Sequence, residues 1–203
     1  MSSVRRAAGR LLVPLMAMTI AAGGAACTTA RVTATERSSI EQRLLVRSLE
    51  RAAAQLDATS LVGPRVRIEL FTLTRDGYFA REFLRARLET RGVRFVAPGE
   101  DADVVIQLFT AALAVDTADT LVGLPAMQAP ILAVPIPEIA LFKLERSRGR
   151  VEVQTYTYDR DGRLLTRLGD AKGEARYDRL TLLIFITFSV TDLDKPAEQS
   201  SAH

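Results

Sequence analysis

"VRIELFTL", residues 66–73, is the stretch on which the fold turns. Val66, Ile68 and Leu70 alternate with Arg67 and Glu69, so one face is apolar and the other charged. That is the pattern of a half-buried strand. "RDG", residues 75–77, then turns the chain, and residues 78–91 read as a helix. Phe79, Phe83 and Ala86 share one face of it, which Leu84 and Leu88 widen, and Gly92 is a suitable stop. "VRFV", 93–96, is a short strand, and "PGEDAD", 98–103, is a solvated turn carrying Glu100, Asp101 and Asp103. "VVIQLFTAALAV", 104–115, is apolar enough for a strand with both faces largely covered. Strand, helix, strand in this order predicts a mixed sheet with its helices on one face.

Upstream, "SSIE" places Glu41 three residues after Ser38, the spacing of a capping box, so a helix starts near Ser38 or Ser39. Leu45, Leu49, Ala52 and Leu56 fall on one face, and Arg43, Arg47, Glu50 and Arg51 fall opposite. An amphipathic helix of this kind packs on a core; a membrane surface or a partner helix is the other use of such a face. "GPR", 63–65, separates it from the first strand.

Downstream, residues 116–138, "DTADTLVGLPAMQAPILAVPIPE", are apolar yet hold Pro125, Pro130, Pro135 and Pro137. Proline in that density argues against regular helix or central strand and predicts a long loop. Its apolar side chains, Leu121, Leu124, Met127, Ile131 and Val134, are the candidate partner contacts, and a buried crossover is the competing reading. "EIALFKLERS" and "VEVQTYTYD" read as two strands joined by "RGR". "DRDG", 159–162, is a hairpin turn, "RLLTRL" pairs back, and "GDAKGEARYD" reads as a polar loop. "LTLLIFITFSV", 180–190, is a strand with Leu182, Ile184, Ile186 and Phe188 on one face, too short to cross a membrane as a helix. The expected whole is one α+β domain over residues 39–194, a mixed, mostly antiparallel sheet with two helices packed on one face. Residues 195–203 form a polar tail.

The first 26 residues follow a different logic. "MSSVRRAAGR" is positive, "LLVPLMAMTIAA" is apolar, and "GGAAC" supplies small residues. Charge, apolar run and small residues in that order make an export signal. The calculated pI of 9.3 is misleading in consequence. The chain has 27 Lys and Arg against 24 Asp and Glu, and Arg5, Arg6 and Arg10 leave with residues 1–26. What remains is balanced, so there is no electrostatic case for nucleic acid.

Few residues suit catalysis. His203 is the only histidine and lies in the tail, which removes histidine-based triads and most zinc sites. No phosphate-loop or dinucleotide pattern is present. Asp116 and Asp119 could act as paired carboxylates of a hydrolase, against the plainer reading as turn-forming residues. Tyr156 and Tyr158 share a strand face and could form a stacking platform or sit as ordinary sheet residues. No cofactor, no metal and no enzymatic activity are expected.

"GAAC", Gly24–Cys27, resembles the lipobox of bacterial lipoproteins, with Gly24 where that family prefers Leu. The resemblance implies that Cys27 is alkylated by a diacylglyceryl group, that cleavage precedes it, and that acyl chains hold the protein on a membrane. A free-thiol protein cut by the general signal peptidase is the alternative. Thr28, where the family's retention signal would be Asp, implies the outer membrane, facing the periplasm. Residues 27–38 are then the lipidated cysteine and a polar tether reaching at most about 40 Å. The segments "RVRIELF" and "ADVVIQL" resemble the opening unit of periplasmic accessory lipoproteins and of the amino-terminal domain of the translocation protein TolB. "DTADTLVGLP" and "PEIALFK", with the helix from Ser39, resemble an uncharacterised family of bacterial lipoproteins, a domain of unknown function. The resemblance implies a lipoprotein of unassigned activity; the anchor, the tether and the lack of catalytic residues together give the expectation of a lipid-anchored envelope protein with a non-enzymatic binding or accessory role toward a protein or polymer. A periplasmic carrier or chaperone for a lipid-like ligand is the alternative.

Overall fold

The computed structural model describes residues 37–97, 99–128 and 135–195. Helix α1 (Ser39–Gln55) leads through a 3-10 turn into strand β1 (Arg65–Phe71), helix α2 (Gly77–Glu89) and strand β2 (Arg94–Phe95). Then follow β3 (Val104–Leu124), the short β4 (Met127–Gln128) and β5 (Pro135–Ile136), β6 (Ile139–Asp159), β7 (Leu164–Leu182) and β8 (Ile186–Thr191). Six strands form one sheet in the order β2-β1-β3-β6-β7-β8, with β4 and β5 paired separately. The pairs β2–β1 and β1–β3 are parallel; the remaining pairs are antiparallel. This is the expected α+β class, with both helices on one face.

The capping box forms as the sequence predicts: Glu41 N–H donates to Ser38 Oγ at 3.3 Å, and Ser38 N–H donates to the Glu41 carboxylate at 2.9 Å. Leu45, Leu49, Ala52 and Leu56 are buried and meet Val151, Val153, Ile106 and Leu108 of the sheet. On β1, Val66, Ile68 and Leu70 face the helices. Gly92, at φ 90°, follows α2, and Val93 N–H donates back to the Leu88 carbonyl.

Two helix faces differ from expectation. Arg51 is 3% exposed rather than on the solvent face. Its guanidinium reaches over β7 to the carboxylate and carbonyl of Asp192 and to the Glu174 carbonyl. In α2 the core residues are Ala80, Leu84 and Leu88, while Phe79 and Ala86 are exposed and Phe83 is half-buried. The small Ala80 permits close packing, which turns the helix away from the face its phenylalanines suggest.

The sheet is more continuous than the sequence implies. β3 runs on through 116–124, where a loop was expected. β6 passes straight through "RGR", because Gly149 lies under α1: a Cβ there would stand 2.6 Å from the Leu44 carbonyl oxygen. The expected polar loop 169–178 is the middle of β7. Ala171, Gly173 and Ala175 face the helix, alternating with charged residues that face solvent. The expected strand 180–190 is interrupted at 183–185, where the chain reverses from β7 into β8.

Candidate functional site

β3, β6 and β7 outrun the helices. Beyond Val115 and Tyr177, which pack against the cluster of Leu44, Ala175 and Leu193, the sheet continues as an arm of four strands, β3, β6, β7 and β8. Residues directly opposite across an antiparallel pair share a face. The register therefore fixes what each face carries. On the face away from the helices, one row is Val122, Phe142, Leu182, Ile186, and the next is Thr120, Leu144, Leu180, Phe188. Behind them come Ala118, Arg146, Asp178 and Val190. The opposite face reads Leu121, Lys143, Thr181, Thr187, then Asp119, Glu145, Arg179, Ser189. One face is thus apolar and the other polar. On the polar side Lys143 donates to Glu138 at 3.0 Å, and that bond, with Glu145 and Asp119 nearby, holds its ammonium above the usual lysine range.

Between β7 and β8, Leu183, Ile184 and Phe185 form an exposed apolar turn, with Phe185 79% exposed. Leu183 and Ile184 take φ of 49° and 76°, a region L-residues with side chains avoid, β-branched ones most of all. The turn is held by Leu183 N–H donating to the Leu141 carbonyl at 3.0 Å and Ile184 N–H to the Ala140 carbonyl at 2.9 Å.

Leu124 and Met127, candidate contacts in the sequence, are exposed at the far end of this arm. Leu121 lies on the polar face. Ile131, Val134 and Cys27 lie outside the described residues. The candidate carboxylates are not brought together: Asp116 and Asp119 stand three apart on one strand and point to opposite faces. Of the four side chains the sequence places on one face of 180–190, Leu182, Ile186 and Phe188 do share the open face, Ile184 falls in the turn, and the partner rows on β6, Phe142 and Leu144, were not foreseen.

Nearer the helices, the open face carries an aromatic row. Phe71 stacks on Phe109 with centroids 4.8 Å apart, Phe109 meets the edge of Tyr156 at 5.8 Å, and Arg167 lies over Tyr156. Tyr156 is thus part of a stacked row, whereas the sequence offered it only with Tyr158. A cleft of about 550 Å³ opens beside it, lined by Leu70, Phe71, Leu73, Tyr78, Arg81 and Phe109. At the other end of β3, Asp103 accepts the Arg65 N–H at 3.0 Å and Arg160 at 2.7 Å. The backbone bond first and Arg160 second hold its carboxyl below the usual range.

Among the described residues no three His, Cys, Asp or Glu side chains are grouped to hold a metal ion, and no described helix is long and apolar enough to cross a membrane. No protein-family model matches the chain, and no curated protein is significantly similar to it.

Proposed function

We propose that this is a lipid-anchored protein of the bacterial cell envelope, held on the periplasmic side of the outer membrane by acyl chains on Cys27. Its folded domain acts by binding an envelope component rather than by catalysis. The observation that carries the anchor is the position of the sole cysteine, after a charged segment, an apolar run and small residues. The binding role is supported by the open sheet face, which carries an exposed apolar turn, apolar rows exposed at Val122, Ile186 and Phe188 and half-buried between them, and an aromatic row. Exposed apolar surface of this extent marks contact sites.

The test is the intact mass of the protein extracted from membranes, beside a Cys27→Ser variant. The expected mass is that of cleavage before Cys27 plus acyl chains, lost in the variant. An unmodified mass in the soluble fraction refutes the anchor. The cleft at Leu70, Tyr78 and Phe109 favours a second reading, a carrier for a lipid-like ligand. Native mass spectrometry of protein taken from cells would then show a retained small molecule.

A further inference from the structure

We propose that the apolar end of the arm lies in a lipid bilayer, as a second point of membrane contact. This rests on the anchored-protein reading and names the partner of the same surface.

Four observations point to lipid. The first is where the described chain begins. Ile40, in the first turn of α1, packs on the Leu44, Ala175 and Leu193 cluster that Val115 and Tyr177 also join, where the arm leaves the body. The segment from Cys27 to Ser38 spans at most about 40 Å, so an anchor at Cys27 would keep the base of the arm within that reach of the membrane.

The second is the order of chemistry along the open face. Two apolar rows and the 183–185 turn come first, and a charged band follows. In that band Arg148 pairs with Asp178 and Arg150 with Glu174. Arg146 and Arg176 are exposed there without an ion pair among the described residues; Asp116 is the remaining acid. Apolar side chains ahead of free guanidinium groups match an acyl layer beneath anionic headgroups.

The third is the state of the turn's backbone. An apolar phase penalises unsatisfied N–H groups. Leu183 and Ile184, the two residues at positive φ, already donate theirs to Leu141 and Ala140, so those two amides carry no unmet demand into an apolar phase. The fourth is the sheet's edges. Among the described residues β1 covers β3 only as far as Phe109, and β8 is an edge strand. Open edges cannot cross the hydrocarbon core. The arm therefore lies in the headgroup–acyl boundary, its polar face turned to water.

The chain contains no tryptophan, which makes the test direct. Protein extracted from membranes and carrying Phe188→Trp, and separately Phe185→Trp, is mixed with vesicles of anionic phospholipid whose acyl chains are brominated near the carbonyls. Leu165→Trp, exposed near the opposite end of the sheet, is the control. The expected result is about twofold or greater quenching of both arm indoles and none of the control, given a burial depth of about 5–10 Å. Unquenched arm indoles in protein that floats with the vesicles and carries acyl mass overturn the arm contact and leave the anchor standing. Quenched arm indoles in protein without acyl mass uphold the arm and refute the anchor. Unquenched indoles in protein that sediments as an oligomer assign the apolar face to a second copy and overturn the proposal.

Discussion

Gly173 lies directly beneath Ser48. A Cβ built on the glycine would stand 1.9 Å from the Ser48 carbonyl oxygen and 2.7 Å from the Ala52 nitrogen. The obstacle is helix backbone, which cannot rotate aside. Gly173→Ala must therefore lift α1 from β7, and the expected cost is about 3 kcal/mol, at the upper end for overpacking. The urea unfolding midpoint measures it. An unchanged midpoint would mean that α1 does not sit this close.

Arg51 and Asp192 close the other side of the same helix, joined at 2.9 Å. The arginine is almost wholly enclosed, and Asp192 also accepts the Arg176 N–H at 2.8 Å. Removing one partner strands a charge. Asp192→Ala is expected to cost about 3–5 kcal/mol and to loosen Leu193 from Leu44 and Ala175. Thermal unfolding and amide exchange at residues 191–194 report the two effects.

The apolar turn is strained, and the strain can be relieved. Ile184→Gly puts the residue best suited to φ 76° at that position. It is expected to raise stability by about 1 kcal/mol, the cost of a left-handed β-branched residue. In the Phe188→Trp background the same change should weaken vesicle quenching. A variant that is more stable and equally well quenched would separate the turn from lipid contact.

Asp103 gives a pH prediction. Its folded-state pKa is lowered from 3.8 by the Arg65 N–H and then by Arg160. A depressed carboxyl contributes stability that is fully present above pH 3.8 and lost as pH falls through the lower folded value. An NMR titration should give a midpoint below 3.8, and Arg160→Ala should move it part of the way back, since the Arg65 bond remains.

Helix α1, strand β1, the 159–162 turn and the fold class were legible in the sequence. Each announces itself by a local rule: Ser38 and Glu41 by spacing, Val66 to Leu70 by alternation, Gly162 by its left-handed φ of 78°. The long strands were legible only in part: 104–115, both halves of β6 and the start of β7 read as strands, but their continuity did not. Residues 170–176 alternate small with charged rather than large with polar, because Ala171, Gly173 and Ala175 make room for a helix that only the tertiary structure supplies. Residues 116–120 are polar or small on both faces, so period two leaves no hydrophobic trace there. The apolar surface was sought in one proline-rich segment. It is instead assembled from four strands, and its rows exist only once the register between them is set.

β6 runs without a break for 21 residues, from the arm's tip to the Asp159 turn. At about 3.4 Å per residue that is a rod of at most about 70 Å. It is stiffened along most of its length by hydrogen bonds to β3 and β7 on either side. Such a beam works as a ruler. Whatever holds its Ile139 end also sets the height and tilt of its Asp159 end, where Leu164 and Leu165 stand exposed. Fixing one end of the sheet thus decides how far from that point the other end is presented.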